Sequence, residues 1–343
     1  MKISSRAKTV WVLLSAAVIV ISVIHVHNPG KKHIQKKTRL LMGTYVTVHV
    51  PRSQKRASEA IDAAMDRMQK VASKFNPHDT ESPVHKFNEE GVAITDAGIV
   101  DLVRLALKIS KDSGGAFDIT IYPLLKLWGF YSGDMRRPDD ESIMEVMGSI
   151  GYEHLEINEG VLTKDHDSVK IDLGGIAKGY VVREAVKALK NMGISSAVID
   201  AGGDIYALGK IEGEPWKIGI RMPGEDHILG FVEAKDLAVM GSGDYKRFFT
   251  EEDKKYHHIF DPRTGYPVEG LSGMTVIYPD PAIADAWATA FFVLGKERGI
   301  EIAEKVPDME VVMVTIDRKV LYSSGLEGVL EAGVIEKHER VNM

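Results

Sequence analysis

The chain has 343 residues, a formal net charge of −6, 27% charged residues and 44% hydrophobic residues. This composition is ordinary for a globular protein with one large core or two modest cores. The mildly acidic balance argues against nucleic acid as a partner, because phosphate binding requires basic patches. The sequence contains no cysteine, which excludes disulfides, zinc–thiolate sites, thiol catalysis, iron–sulfur clusters and a lipid-modified cysteine anchor.

The amino terminus predicts a membrane anchor. A short basic tail, residues 1–9, precedes an apolar segment, residues 10–26, which is interrupted only by Ser15, Ser22 and His25. A helix of this length spans roughly 26 Å, close to the lower limit for crossing a bilayer, whereas the apolar region of a signal peptide has about 7–15 residues. We expect an uncleaved signal anchor, with a cleaved signal as the alternative.

Two signals for the orientation of this anchor conflict. More lysine and arginine residues follow the apolar segment, between positions 31 and 39, than precede it, and the positive-inside rule alone would leave the large domain in the cytoplasm. We favour export, because a very short basic tail before one apolar run resembles an export signal, and large domains translocate despite flanking charge. The prediction is a single-pass protein of the plasma (inner) membrane with an extracytoplasmic, or periplasmic, domain.

Beyond the anchor, the chain is interpreted as one domain between two short polar segments. Residues 27–38, which contain Pro29 and several lysines, are interpreted as a linker. No repeat or low-complexity tract follows, so one continuous domain is predicted over residues 39–335, with a polar tail over residues 336–343.

One strand and two helices are predicted in the first half of this domain. Tyr45–Val50 alternates as a strand does, and Ala57–Phe75 carries apolar residues at helical spacing. A second helix is predicted from about Asp96 to Ser110, where apolar residues again share one face. The Gly114-Gly115 pair is then expected to end that helix.

The second half alternates strands with helices. Ser168–Leu173 is predicted to be a short strand, Gly179–Met192 a helix, and Ser196–Asp200 another strand. Further predictions are strands at Lys217–Arg221 and Leu237–Met240, a buried helix at Asp285–Leu294 ended by Gly295, and strands within Val311–Ser323 around a turn at Asp317-Arg318. Clustered strands at irregular spacing predict an α+β fold of mixed sheets and helices rather than a doubly wound sheet.

A glycine turn between a predicted strand and a helix is the first motif with chemical content: Ile171-Asp172-Leu173-Gly174-Gly175-Ile176-Ala177-Lys178-Gly179. Glycines let the backbone approach a phosphate, and a helix amino terminus offers free N–H groups. The motif is neither a Walker A loop nor G-x-G-x-x-G. A plain strand-to-helix turn is the alternative, and Asp172 and Lys178 inside the motif favour function.

A carboxylate and a hydroxyl form the second motif. Asp285 and Thr289 lie four residues apart in the predicted helix, so their oxygens share one helix face. Such oxygens, with carbonyls or waters, suit a hard cation such as Mg²⁺. Alternatively, Asp285 interacts with the helix dipole and Thr289 bonds to the carbonyl of the preceding turn.

A histidine pair before an Asp-Pro turn is the third motif. His257 and His258 precede Asp261-Pro262-Arg263-Thr264-Gly265, which is ordinary turn chemistry. A histidine at this place could act as a base near neutral pH. Adjacent residues of a strand point to opposite faces, so at most one of the two histidines would face a site.

Together and in this order, these segments resemble the FAD:protein FMN transferase family (ApbE). Each segment is weak alone, and the specificity lies in the ordered combination. The resemblance covers most of the chain outside the amino-terminal span and the last few dozen residues. The segments that carry it are Met42-Gly43-Thr44, Phe75, Gly115–Asp118, Trp128-Gly129-Phe130, Asp172–Gly179, Asp200–Asp204, His258–Pro267 and Ala284–Leu294.

The resemblance implies the residues of an active site. A magnesium site is implied at the Gly175 carbonyl and the Asp285 and Thr289 side chains, and His258 is implied as the catalytic residue. Phe75 stands where relatives often have tyrosine, which keeps the ring and loses the hydroxyl. The implied flavin-contacting residues are Met42, Phe75, Ala116, Phe117, Asp118, Asp172, Lys178 and Phe260.

The resemblance also implies the reaction and the partners. Mg²⁺ would bridge the pyrophosphate of the substrate FAD, and His258 would deprotonate an acceptor threonine, which attacks the FMN phosphorus and expels AMP. The acceptors would be flavin-carrying subunits of membrane redox complexes. Three alternatives stay open: an FAD pyrophosphatase that releases free FMN and AMP, a non-catalytic FAD-binding protein, and a structural membrane-tethered module.

Overall fold

A computed structural model describes residues 33–330 of the chain. Within this range, strands and helices alternate irregularly, with four short 3₁₀ helices between them. The α-helices are α1 (Ala57–Ala72), α2 (Pro83–Glu90), α3 (Ala97–Asp112), α4 (Tyr122–Leu127), α5 (Asp140–Met147), α6 (Ala177–Asn191) and α7 (Pro281–Ala303). The strands are β1 (Ile34–Leu41), β2 (Thr44–Pro51), β3 (Leu155–Asn158), β4 (Val161–Lys164), β5 (Ala197–Ala201), β6 (Asp204–Leu208), β7 (Lys210–Ile211), β8 (Glu214–Arg221), β9 (Ile228–Ala234), β10 (Leu237–Gly243), β11 (Phe248–Glu251), β12 (Lys254–His257), β13 (Leu271–Tyr278), β14 (Glu310–Thr315) and β15 (Val320–Tyr322).

An eight-stranded sheet organises the described part of the chain. Its order is β1-β2-β5-β6-β10-β13-β14-β15, and each neighbouring pair within residues 33–330 is antiparallel. Antiparallel neighbours can be joined by a short hairpin, as in the tight turn between Ala201 and Asp204. Three strands form a second sheet, β7-β8-β9, and two hairpins, β3-β4 and β11-β12, stand apart.

Both faces of the large sheet are covered, and the side chains of its strands alternate between two cores. In β5, Ile199 packs into the core that α1, α3, α6 and α7 share, whereas its neighbour Val198 faces the opposite core. Trp216 and Ile218 of the three-stranded sheet complete that opposite core. This period of two is expected when a strand buries side chains on both of its faces. The helices named above contribute to the first of the two cores only, so they lie on one face of the sheet.

A separate aromatic cluster lies beside these two cores. Trp128 is fully buried, and its ring centroid lies 5.5 Å from those of both Phe260 and Tyr256. Phe130 packs edge-on against Phe260 at 5.9 Å. The cluster joins the segment after α4 to the β11-β12 hairpin, and so places the residues around His258 against the rest of the domain.

The α+β prediction is confirmed, and most predicted elements correspond to elements of the structure. Ala57–Phe75 is α1 followed by a 3₁₀ turn, and the helix predicted from Asp96 is α3, for which the Asp96 side chain caps the amino terminus. The helix predicted from Gly179 begins two residues earlier, at Ala177. The helix predicted to end at Gly295 is interrupted there, because Gly295 has φ 77° and ψ −179°.

The predicted strand Ser168–Leu173 is wrong. The segment buries Val169, Ile171 and Leu173, which produced the apolar alternation. Its backbone, however, pairs with a side chain, since the Asn88 amide donates to the Ile171 carbonyl and accepts from the Ile171 N–H, both at 2.8 Å. A buried amide therefore replaces the neighbouring strand that the pattern implied.

The amino-terminal predictions have mixed outcomes. The linker prediction is wrong from residue 34 onward, because β1 begins at Ile34 and pairs along its whole length with β2. The predicted span, residues 10–26, lies outside the described residues. Among residues 33–330, none of the helices combines the length and the apolar character needed to cross a bilayer.

Candidate active site

The amino-terminal ends of α6 and α7 meet at a glycine. A Cβ atom on Gly179 would lie 2.0 Å from the Pro281 carbonyl oxygen, so the two backbones can approach this closely only without a side chain there. At this contact, the Gly179 N–H donates to Asp285 Oδ2 at 2.8 Å. Asp280, rather than Asp285, caps α7, and Asp285 is therefore not the start of the helix that the sequence suggested.

Two lysines and two aspartates meet at this point, and we call Lys178, Asp204, Lys246 and Asp285 the charge cluster. Lys178 forms an ion pair with Asp204, and its Nζ lies 3.9 Å from Asp285 Oδ1. Lys246 Nζ lies 4.0 Å from Asp204 Oδ2. The two aspartates are almost fully buried, which makes their charges costly unless partners compensate them.

The electrostatics separate the two aspartates of the charge cluster. Burial opposes ionisation of Asp204, but Lys178 and Lys246 outweigh it and lower the pKa of Asp204. Burial dominates at Asp285 and raises its pKa to about 6. Lys178, whose pKa burial alone would lower, has a raised pKa because both aspartates are close. Asp204 is thus the ionised partner of Lys178. Asp285 is the carboxylate whose negative charge is less fully compensated, so it can interact with another cation.

Oxygen donors converge next to Asp285. Thr289 lies one turn further along α7, and its Oγ1 is 3.4 Å from Ser242 Oγ of β10. The same Oγ1 would lie 3.4 Å from a Cβ atom on Gly175, so the glycine turn adjoins the threonine. The structure therefore brings Gly175 next to Asp285 and Thr289, the other two residues of the predicted magnesium site, although Gly175 lies more than 100 residues before them in sequence.

Asp172 shapes the glycine turn. Its carboxylate accepts a hydrogen bond from the Gly174 N–H at 2.7 Å and another from the Tyr131 hydroxyl. Its own N–H donates to the Ile119 carbonyl at 2.7 Å. These bonds fix the turn before α6 and link it to the segment that carries Phe130 and the aromatic cluster.

Asp118 is a structural cap within the predicted flavin-contacting segment. Its Oδ1 accepts from the N–H and the hydroxyl of Thr120, each at 2.7 Å, and burial raises its pKa to about 6. Ala116 and Phe117 beside it are buried. Phe117 reaches the glycine turn, because its ring carbon Cε2 would lie 3.0 Å from a Cβ atom on Gly175.

The two adjacent histidines occupy different environments. His257 is buried, with Nε2 2.8 Å from the Val268 carbonyl and Nδ1 accepting the Ile259 N–H at 3.2 Å, so both ring nitrogens have structural partners. His258 is half-buried, and its Nδ1 lies 3.2 Å from the Arg247 carbonyl. Burial and the nearby Arg247 lower the pKa of His258 to about 3, which keeps its imidazole neutral near pH 7.

Three predicted flavin-contacting residues lie in packed surroundings. Phe260 is inside the aromatic cluster, and Phe75 is buried with its ring 5.6 Å from that of Tyr180 on α6. Met42 is half-buried in the β1–β2 turn at φ 52°. None of the three makes a polar contact among the described residues, so their contribution to a ligand site would be apolar.

Sequence reasoning did not single out four site residues. Asp204 lay within a motif that contributed to the resemblance, but no role was assigned to it. Lys246 and Arg247 follow β10 in an ordinary polar loop, and Tyr131 follows the Trp-Gly-Phe segment. Lys246 turns towards the charge cluster and Arg247 donates to the Phe130 carbonyl. No local pattern marks these residues, because their roles depend on tertiary contacts.

The fold and the site together define an α+β enzyme whose oxygen donors and lysines lie beside a glycine turn at a helix amino terminus, the arrangement expected where nucleotide phosphates and a cation are bound. The sequence model of the ApbE family matches residues 42–313. The chain belongs to the ApbE family. The resemblance indicated by the sequence motifs is thereby confirmed.

Named relatives and solved structures agree with this assignment. A protein of Haemophilus influenzae named FAD:protein FMN transferase is 32% identical over 252 residues, covering 68% of this chain and 72% of its own length. A Vibrio cholerae protein of the same name is 32% identical over 270 residues, 74% of this chain and 80% of its own. The crystal structure of an ApbE protein from Thermotoga maritima has a TM-score of 0.80 at 30% identity, covering 87% of this chain and 99% of that one. The apo flavinyl transferase ApbE of Pseudomonas stutzeri has a TM-score of 0.77 at 29% identity, covering 88% and 98%.

Proposed function

We propose that this chain transfers the FMN half of FAD to a threonine hydroxyl of an acceptor protein and releases AMP, with Mg²⁺ at the site of Asp285, Thr289 and Gly175. The observation that carries the proposal is the convergence of these three residues beside the glycine turn and the charge cluster. The names of the relatives, FAD:protein FMN transferase, support the choice of reaction.

The residues at this place fit a hard divalent cation. Asp285 offers a carboxylate, Thr289 a hydroxyl and Gly175 a backbone carbonyl, which are oxygen donors of the kind that Mg²⁺ prefers. Asp285 uses one oxygen for the Gly179 N–H and keeps the other towards the charge cluster. Bound there, Mg²⁺ would supply charge neutralisation for the pyrophosphate of FAD.

The protein's own groups would bind and orient the phosphates. The turn before α6 lies at the positive end of the helix dipole, which favours an anion. Lys178 stays cationic, since Asp204 and Asp285 raise its pKa, and it contributes positive charge at the same place. Asp172 holds the turn in shape through its bonds to Gly174 and Tyr131.

The proposed chemical step is a substitution at the FMN phosphorus. The threonine oxygen of the acceptor forms a bond to that phosphorus, and the bond from phosphorus to the bridging oxygen of the pyrophosphate breaks, so AMP leaves. His258 takes the threonine proton on Nε2, because its Nδ1 is held at the Arg247 carbonyl. A neutral imidazole is the form required of a base, and the lowered pKa of His258 keeps it neutral while making it a weaker base.

The proposal extends to the location and the acceptors. We infer an uncleaved anchor at residues 10–26, an extracytoplasmic domain and acceptors that are flavin-carrying subunits of membrane redox complexes. The apolar segment at 10–26 and the absence of cysteine from the sequence support a helical anchor. Protease protection of the full chain in membrane vesicles tests the orientation: cleavage of the domain only from the cytoplasmic side would contradict it.

The deciding experiment uses the detergent-solubilised full chain with FAD, Mg²⁺ and a flavin-acceptor domain. AMP release is followed together with covalent flavin fluorescence on the acceptor, and a matched acceptor whose threonine is replaced by valine is the control. AMP with a labelled acceptor supports the proposal. AMP with only free FMN would make the chain an FAD pyrophosphatase, and FAD binding without either product would make it a flavin carrier.

A further inference from the structure

A second group of potential metal ligands lies outside the site described above. His154, Asp165 and His166 meet at the open end of the β3-β4 hairpin, and one ligand atom from each lies within 4.8 Å of the others. We call these three residues the hairpin-end cluster. His154 comes directly before β3 and Asp165 directly after β4, and the Asp165 N–H donates to the His154 carbonyl at 3.1 Å, so the hairpin register sets them side by side.

The distances within the hairpin-end cluster are close to those of a tetrahedral metal site. His154 Nδ1 lies 2.8 Å from Asp165 Oδ2, and His166 Nε2 lies 3.5 Å from Asp165 Oδ1. Ligands of a Zn²⁺ ion bound at about 2.0–2.1 Å are roughly 3.3 Å apart. The three donors lie within 4.8 Å of one another, so side-chain rotations that bring the wider pairs closer would place all three on one ion.

The surroundings prepare His166 as a ligand. Its Nδ1 lies 2.5 Å from Ser168 Oγ. When Nδ1 carries the proton and donates to this hydroxyl, Nε2 has a free lone pair and faces Asp165. Metal-ligating histidines commonly donate their other N–H in this way. Lys164 fixes the loop that follows, because its ammonium donates to the carbonyls of Asp167 at 3.1 Å and Val169 at 2.9 Å.

We propose that the hairpin-end cluster binds a divalent transition metal ion of the Zn²⁺ type through His154, Asp165 and His166, with water completing the shell. Two imidazoles and one carboxylate favour Zn²⁺ over Mg²⁺, which takes oxygen donors. The competing interpretation is a plain His154–Asp165 hydrogen bond on the surface. That interpretation also includes the edge-on contact between the His154 and His166 rings, whose centroids lie 4.8 Å apart, but it leaves unused the approach of His166 Nε2 to 3.5 Å from Asp165 Oδ1.

The position of the hairpin-end cluster gives such an ion a structural role. The residues before His154 are bonded to the segment around Asp118, which is predicted to contact the flavin. The Gly151 N–H donates to Thr120 Oγ1 at 2.8 Å, and the Tyr152 backbone bonds to Asp118. The residues after His166 lead to Asp172 and the glycine turn. A metal ion would therefore join the two chain segments that approach the site from either side of the hairpin.

The test measures Zn²⁺ binding to the untagged full chain in detergent, with excess Mg²⁺ present, by competition with a chromogenic chelator. We expect one Zn²⁺ per chain, and His154→Gln and His166→Gln should each weaken binding by at least about 10-fold. His227→Gln, a change at an exposed histidine in the β8–β9 turn, is the matched control and should leave binding unchanged. The proposal does not depend on the flavin chemistry.

Two further measurements keep the test decisive. Co²⁺ in place of Zn²⁺ should give the intense visible absorption of a four-coordinate site in the wild type, and not in His166→Gln. Asp285→Asn should retain Zn²⁺ binding, and loss of binding in that variant alone would place the ion in the catalytic site and overturn the proposal. Equal affinity of the wild type and His166→Gln would overturn it as well. Thermal unfolding without metal verifies that the variants fold.

Discussion

The charge cluster and the hairpin-end cluster are both built around carboxylates, yet they differ in burial and in the origin of their residues. Asp204 and Asp285 are 1–3% exposed and come from distant elements, whereas Asp165 is 56% exposed and faces His154 across a single hairpin. The buried cluster must compensate every charge internally. Water solvates most of the charge in the exposed cluster, so its donor atoms can exchange bound water for an ion from solution.

Because of this difference in burial, the two clusters should contribute to different properties of the protein. Changes in the charge cluster should affect both catalysis and the free energy of unfolding, because its groups have no water to replace a lost partner. In the absence of a bound transition metal ion, changes in the hairpin-end cluster should have little effect on catalysis or on the free energy of unfolding, because exposed ion pairs contribute about 0–1 kcal/mol. The first three of the following predictions test this separation.

The largest effect is expected at Asp285. Replacement of Asp285 by Asn removes the negative charge from the proposed magnesium site and should lower the rate of FMN transfer at least about 1000-fold, which corresponds to ~4 kcal/mol. The measurement is covalent flavin on the acceptor against time at saturating Mg²⁺. Asp165→Asn is the matched control and should keep wild-type activity; comparable loss in both variants would contradict the separation.

The next effect concerns stability rather than rate. Lys178→Met leaves Asp204 buried without its nearest cation, which typically costs about 3–5 kcal/mol. Lys246, 4.0 Å from the same carboxylate, should offset part of this, so we expect a loss of about 3 kcal/mol in urea unfolding. His154→Gln should cost less than about 1 kcal/mol in the same assay. A Lys178→Met chain as stable as the wild type would show that Lys246 suffices.

The adjacent residues His257 and His258 allow an effect on catalysis to be separated from an effect on stability in the same way. His258→Gln should reduce flavin transfer about 100-fold through loss of the proposed base, equivalent to ~2.7 kcal/mol, while stability changes little. His257→Gln should instead lower the free energy of unfolding by about 1–3 kcal/mol, because Val268 and Ile259 lose a buried partner. If His257→Gln abolished transfer in a stable protein, the assignment of the two roles would be reversed.

The last effect is a pH dependence at His49, which lies in β2 and belongs to neither cluster. Burial, with a contribution from Lys36 across β1–β2, lowers the pKa of His49 to about 4. Between pH 4 and about 6.5 the unfolded chain therefore binds a proton at His49 that the folded chain does not, so stability rises with pH in this window. His49→Gln should flatten the rise, by at most about 3 kcal/mol across this window. An unchanged pH profile of urea unfolding would refute this.

Local periodicity was sufficient for the longer amphipathic helices among the described residues, but not for the short helices α2, α4 and α5, which were not predicted. Alpha helices α1, α3 and α6 bury apolar residues three and four positions apart, and this spacing can be recognised without tertiary information. The Asp285–Thr289 pair was accessible for the same reason, because two residues four apart share one helix face. The glycine turn was also recognisable, since its residues are contiguous.

Tertiary contacts account for what sequence reasoning missed. The segment at 168–173 has the apolar alternation of a strand, but Asn88, more than 80 residues earlier, supplies its hydrogen bonds. Lys246 belongs to the charge cluster only because β10 lies next to β6 in the sheet. The hairpin-end cluster was missed because its residues meet only in one hairpin register, which the sequence alone does not fix.

The bond that holds Asp285 has a donor that belongs to the main chain. The Gly179 N–H provides it, and no replacement of the residue 179 side chain deletes that donor, except proline. Larger residues would instead act as spacers that push α6 away from Pro281. The hydrogen bond that holds the proposed metal ligand Asp285 therefore depends on the course of the backbone. It does not require particular neighbouring side chains, and the change most able to disrupt it is added bulk at residue 179.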